Sequence, residues 1–157
     1  MGKLRERMAK FGLELAEDKT RILPIGRYRG TKEEFDFLGF TFYNSRFRRG
    51  KYMLGIRTSA KTLKAKKQAV KAWLGPKMVT PTKLVLTSLN RKLRGHYNYY
   101  GVNGNMRGLK KFETFVCVCT FRMLRRRNLK RKITRERFTV IWHQYIQRPR
   151  ITKQIWG

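Results

Sequence analysis

Apolar residues in this chain change their spacing once, near Thr58. Before it they recur at every second position, as in Phe35-Asp36-Phe37 and Phe40-Thr41-Phe42; after it they recur at helical spacing, as in Leu63, Val70, Trp73 and Leu74. A period of two puts side chains on alternate faces of a strand, and a period of 3.6 gathers them on one stripe of a helix. The expected fold is therefore α+β: a small antiparallel sheet with a short helix at the N-terminus, then a bundle of three or four helices. The boundary is expected at Arg57-Thr58, which divides the chain into 1–57 and 58–157.

Local signals refine this outline. Leu4, Met8 and Phe11 share one side of a helix over 4–11 that Gly12 stops. Leu13 and Leu15, then Ile22, Leu23 and Ile25, flank the turn-like Glu17-Asp18-Lys19 and suggest strand, turn, strand. The aromatic run 35–43 is expected to be one strand, 44–50 a basic hairpin loop, and 51–57 the return strand. Thr58 or Ser59 can cap the first bundle helix, which Gly75-Pro76 ends. Thr80-Pro81 offers a capping oxygen and a first-turn proline to the second helix, whose Val85, Leu86, Leu89, Leu93, Tyr97 and Tyr100 share a face. A third helix starts near Asn105 and turns Leu109, Phe112, Phe115, Val116, Cys119 and Met123 to the core. Cys117, Phe121 and Leu124 give it a second apolar side, so it is expected to be the most buried of the set. Thr134 caps a fourth helix with Phe138, Ile141, Trp142 and Tyr145 inward, and Pro149 is expected to close it.

Charge divides the chain as sharply as periodicity does. Up to Asp36 there are nine Lys/Arg and seven acids; beyond it, thirty Lys/Arg face only Glu113 and Glu136, a net +28 out of +30. Such a field repels itself unless a polyanion covers it, and nucleic acid is the usual soluble one. With 41% hydrophobic and 13% aromatic residues the chain is no disordered basic tail. An apolar stripe backed by Lys/Arg is what a helix lying on phosphates needs, whereas solvated faces normally mix signs. The candidate contacts are Arg48 and Arg49 at the hairpin tip, Lys61, Lys64 and Lys71 on the first bundle helix, and Arg91 and Arg94 on the second. The run from Arg122 through Arg125, Arg126 and Arg127 to Lys130 and Arg131 completes them. Residues 125–132 also fit a localisation patch, but continuity with a packed helix favours contact with a nucleic-acid backbone. In Arg94-Gly95-His96-Tyr97-Asn98-Tyr99-Tyr100, Tyr97 and Tyr100 are expected in the core with bonded hydroxyls, while His96 and Tyr99 are surface rings able to stack on unpaired bases.

Other function classes find little support. No run approaches the roughly 18 apolar residues of a membrane span, no apolar signal core follows the first charges, and Met1-Gly2 is followed by Glu6 where myristoylation wants Ser or Thr. Cys117 and Cys119 stand two apart on a helix, point in divergent directions and are expected to be free thiols in a cytoplasmic, reducing setting. His96 and His143 are isolated, no ligand spacing recurs, and the early acids fit turn and linker positions, so neither a metal nor a cofactor nor a catalytic residue is assigned. Glu113 is expected to pair within its helix with Lys110 or Lys111.

Three segments together resemble one family. Phe11-Gly12-Leu13-Glu14-Leu15 with Lys19-Thr20-Arg21, then Phe35-Asp36-Phe37-Leu38-Gly39-Phe40, then Leu89-Asn90-Arg91-Lys92-Leu93-Arg94-Gly95-His96-Tyr97-Asn98-Tyr99-Tyr100, are similar in order and interval to the C-terminal part of bacterial group II intron reverse transcriptase/maturases. The resemblance implies that 1–57 is the end of a polymerase palm and that Phe37, Leu38, Gly39 and Phe40 correspond to its primer-grip strand. Residues 58–157 then correspond to the thumb, or maturase-specific domain, which grips intron RNA and the template-primer duplex. The family's Tyr-Ala-Asp-Asp element and fingers have no counterpart here, nor has the zinc-bearing endonuclease of some relatives. No aspartate carries over as a metal ligand, magnesium is implied only for a complete polymerase, and Lys19, which matches a palm lysine, has no chemistry to assist. The implied function is RNA binding in support of splicing, with group II intron RNA or an RNA/DNA duplex as partner. The alternatives are one part of a split RNA-directed DNA polymerase whose fingers and palm come from an upstream polypeptide, or an inactive retroelement remnant.

Overall fold

The computed structural model describes residues 2–14, 16, 33–46, 50, 52–127 and 133–155. Helix α1 spans Gly2–Ala9, and strands β1, β2 and β3 span Glu34–Phe37, Phe40–Arg46 and Tyr52–Thr58. Helices α2 (Ala60–Leu74), α3 (Thr82–Tyr100), α4 (Met106–Arg127) and α5 (Arg135–Tyr145) follow, with a 3-10 turn at Gly75–Val79. The described residues thus form an α+β fold of five helices and one antiparallel sheet in the order β1-β2-β3.

Helix α1 ends at Gly12 as its sequence requires. Gly12 takes φ +68, its N–H donates to Ala9 O at 3.0 Å, and Leu13 N–H reaches back to Met8 O at 3.1 Å. These two return bonds are a Schellman end. Leu13 is exposed and lies in no strand. Leu15, Lys19, Ile22, Leu23 and Ile25, the rest of the expected strand, turn and strand, lie outside the described residues.

Residues 35–43 are two strands rather than one. The chain reverses at Leu38-Gly39, with φ of 50 and 81, and two positive values in a two-residue loop make a type I′ hairpin. Ring spacing gives the reason. Rings at 35 and 37, then at 40 and 42, slip the alternation by one residue, and reversal of the chain repairs the slip. Phe35 comes opposite Phe42 and Phe37 opposite Phe40, so all four share one face. The Phe35 and Phe42 rings stack at 5.1 Å. Strand β3 returns along β2, from Phe40 opposite Thr58 to Arg46 opposite Tyr52, so that Asn44, Ser45 and Arg46, expected in the hairpin loop, are paired strand residues. On the other face Thr41 Oγ1 donates to Asp36 Oδ1 at 2.5 Å, and Arg57 bonds Glu34 at 2.6 Å while lying over the Tyr43 ring. Glu34 and Asp36 are therefore partnered strand residues, not turn or linker residues.

In the bundle, Ser59 rather than Thr58 caps α2, its Oγ accepting from Thr62 N–H at 3.2 Å. All six face residues of α3 are buried as their spacing requires; with His96 that makes seven against six in α4, so α3 is the more buried helix. Thr80 does not cap α3: it closes the 3-10 turn through its N–H to Lys77 O at 3.2 Å, and Pro81 precedes the helix without a side-chain cap. Tyr97 is core, yet its hydroxyl meets no hydrogen-bond partner among the described residues, and burial raises its pKa. Thr134 caps α5 through Arg137 N–H at 3.3 Å. That helix ends at Tyr145, well before Pro149, where Ile146 turns extended and Gln147 N–H donates to Asn90 Oδ1 at 3.0 Å.

Sheet and bundle are joined by a buried amide. Asn105, 1% exposed, accepts from Thr58 N–H at 2.8 Å and donates from Nδ2 to Thr58 Oγ1 and Tyr100 O, each at 2.8 Å. A Cβ at Gly108 would stand 2.4 Å from Asn105 Oδ1, so glycine is needed one turn into α4. Ser59 N–H donates to Gly39 O at 2.9 Å and Tyr99 Oη to Leu38 O at 3.1 Å, which pins the β1-β2 turn to α2 and α3. The segment after α5 straps back over the α3-α4 corner: Thr152 and Lys153 N–H donate to Gly101 O at 2.7 and 3.0 Å.

Candidate nucleic-acid interface

Helix α2 packs against α4 and faces α3 across a cavity, and cations collect along each seam. On the α4 side, three clefts follow one another. Lys71, Arg122 and Arg126 line the first, of about 490 Å³, over Cys119 and Met123. Lys64, Lys67 and Lys71 line the second with Phe115, and Lys67, Arg107, Lys110 and Lys111 line the third. Lys71 is shared by the first pair of clefts and Lys67 by the second, so the seam is continuous. No residue lining it is acidic. Arg107, Lys111, Arg122 and Arg126 keep to one side of α4 because their steps of four, eleven and four residues are near whole turns. They span about 28 Å at the helical rise. The ammonium groups of Lys67 and Lys71 sit over the Phe115 ring at 5.0 and 5.6 Å, which orients them without removing their charge.

On the α3 side the seam is aromatic. Trp73, His96, Tyr99 and Phe112 line a cavity of about 480 Å³, with Lys66 and Lys92 among its walls. Lys92 Nζ lies 5.2 Å and Lys77 Nζ 5.9 Å from the Trp73 ring centre. Rings continue from here into the sheet: His96 packs on Phe112 at 4.1 Å and on Tyr100 at 4.7 Å, and Phe40 stacks on Tyr99 at 5.8 Å.

The residues named from sequence fall into four groups. Lys61, Lys64, Lys71, Arg91, Arg94, Arg122, Arg125 and Arg126 are exposed on the helices, and the seam on the α4 side unites Lys64, Lys71, Arg122 and Arg126. Arg91 stands apart, in a cleft with Trp73 and Lys77. Arg48, Arg49, Lys130 and Arg131 lie outside the described residues. Two expectations fail. His96 is 8% exposed, not a surface ring; burial, and after it the Lys66 charge, lower its pKa to about 4, so it is neutral at pH 7. Arg127 is not free for phosphate: its guanidinium donates to the carbonyls of Lys77 and Thr80 and to Thr82 Oγ1, tying the end of α4 to the start of α3. Tyr99 is 47% exposed, but its hydroxyl is engaged by the Leu38 carbonyl.

Glu113 also differs from expectation, since it accepts from Trp142 Nε1 at 3.4 Å and so faces α5 rather than a lysine of its own helix. Sequence reading missed Lys66, Lys67, Lys92, Arg107, Lys110 and Lys111. The four-residue step from Arg107 to Lys111 was the available signal for that part of the seam. Among the described residues no three His, Cys, Asp or Glu side chains come together as a metal site, and no helix is long and apolar enough to cross a membrane. No family model, no curated protein and no solved structure matches the chain.

Proposed function

We propose that this chain is an RNA-binding module of the group II intron reverse transcriptase/maturase type, which holds structured intron RNA or an RNA/DNA duplex by its phosphates and so supports splicing. The observation that carries the reading is the acid-free seam between α2 and α4, where the two helices align cations over three connected clefts. Like charges so placed repel one another, and a row of phosphates converts that repulsion into affinity by releasing counterions. The β1-β2 turn, which the resemblance matches to the family's primer grip, presents Phe37 and Leu38 at 58% and 66% exposure. Filter retention of a group II intron RNA, with transfer RNA as competitor, tests the proposal. Retention that survives a large excess of competitor is expected; no retention at low salt sinks it.

A second reading, a split polymerase completed by an upstream polypeptide carrying fingers and palm, draws on the sheet: β1 is one of its two edge strands among the described residues, and such an edge can accept another strand. Magnesium would then belong to the partner's aspartates. Co-expression followed by primer extension decides it, since the reading requires extension by the complex and fails if no complex forms.

A further inference from the structure

We propose that the cavity between α2 and α3 seats one unpaired nucleobase of the bound RNA, with the adjoining phosphates on Lys66 and Lys92. This rests on the RNA-binding reading above and adds to it a site for the base itself. At about 480 Å³ the cavity lies within the roughly 300–1,000 Å³ of small-ligand sites and has room for a single heterocycle. Its walls suit such a ring. Trp73 and Tyr99 offer π-faces, and stacking on an aromatic face accepts any base. Lys77 and Lys92 Nζ lie 5.9 and 5.2 Å from the Trp73 ring centre, so a base stacked on the face they leave open brings its phosphates within reach of the same lysines.

His96 gives an independent indication. More than nine-tenths buried in the cavity wall, it has two ring nitrogens that meet no hydrogen-bond partner among the described residues. A buried polar atom without a partner is costly, and native proteins leave few. A neutral imidazole has one donor nitrogen and one acceptor nitrogen, and either can pair with a single polar group on a base edge. No lining residue is acidic, so nothing in the cavity opposes a nucleotide's charge. The cations on the α4 side can hold any phosphate chain, whereas the rings of this cavity respond to whether a base is present.

The test compares a short single-stranded RNA with an oligonucleotide of equal length in which the bases are removed and the phosphates kept, by fluorescence anisotropy at fixed salt with the full chain. The wild-type protein is expected to favour the base-bearing strand by roughly fivefold or more, the lower end of what ring stacking contributes. Trp73→Ala and His96→Phe should each bring the ratio towards one. His96→Phe keeps a ring packed on Phe112, and Trp73→Phe keeps a stacking face and should retain most of the preference; circular dichroism melts confirm that each variant is folded. Equal wild-type affinity for the two strands overturns the base site and leaves the phosphate grip standing. Failure to bind either strand overturns both. If micromolar adenosine monophosphate abolishes the preference, the cavity belongs to a free nucleotide and the RNA assignment is overturned.

Discussion

The two seams of α2 use the same kinds of side chain to different ends. Towards α4, cations stand in line over open clefts with a single ring, Phe115, beneath two of them. Towards α3, rings close round one volume and the lysines are reduced to two, Lys66 and Lys92. The first arrangement fits a repeating charge and is indifferent to what the charge is attached to. The second fits one flat ring. Helix α2 can serve both because Lys64, Lys67 and Lys71 follow one helical row, while Lys66, Val70 and Trp73 follow the next. The difference teaches that basicity alone does not distinguish the two seams; the spacing of rings between cations does.

The largest effect should come from breaking the seam towards α4. Reversing Lys67, Lys71, Arg122 and Arg126 to Glu is expected to lower RNA affinity by about a hundredfold or more at 0.15 M salt and to make the salt slope shallower by roughly three, at about 0.7 to 0.9 per lost phosphate contact. Anisotropy should meanwhile show the base preference of the seam towards α3 unchanged in ratio. If that preference fell in step, the two seams would be one site.

The next effect belongs to His96. Its folded pKa of about 4 lies below the ordinary value of 6.5, so the unfolded chain binds the proton first. The stability conferred by the neutral ring is present in full above about pH 6.5 and is lost as pH falls towards 4. The loss over that window amounts to roughly 3 kcal/mol. Urea melts at pH 7, 5.5 and 4 measure it, and His96→Phe should remove this part of the dependence.

Smaller effects separate side chains that hold the fold from those that face solvent. Asn105→Ala strands Thr58 N–H and Tyr100 O and should cost about 2–3 kcal/mol in denaturant melts, with RNA affinity retained below the melting range. Arg127→Met should cost about 1–2 kcal/mol by releasing the Lys77 and Thr80 carbonyls. Arg126→Met should instead leave stability unchanged and weaken RNA binding. The smallest effect is a gain: Leu38 sits at φ 50 with its side chain exposed, and Leu38→Asn should stabilise the turn by up to about 1 kcal/mol.

How much of this was legible in the sequence differs between the seams in the same way. Cations on the α4 side follow from helical spacing within single elements, so Lys64, Lys71, Arg122 and Arg126 could be named before their neighbours were known. The cavity needs Trp73 and His96, more than twenty residues apart, to be brought together by the crossing of α2 and α3, and no local pattern states that. His96 was misread because one histidine between Gly95 and Tyr97 resembles a polar surface residue; its place one turn before Tyr100, three residues after Leu93, puts it on the buried face. Arg127 was misread because a charge run looks uniform, although Arg127, unlike Arg125 and Arg126 beside it, reaches the carbonyls of Lys77 and Thr80. The β1-β2 turn was hidden by a continuous aromatic run, and the slipped alternation between Phe37 and Phe40 was the sign of it. Helix caps at Ser59 and Thr134 were legible because one side-chain oxygen and one N–H three residues on decide them.

Phosphate binding along the seam between α2 and α4 is tested most directly by the salt dependence of wild-type RNA affinity. With six to eight cations engaged, the slope of log affinity against log salt should be about −4 to −7. A slope near zero, with binding intact, would contradict the account.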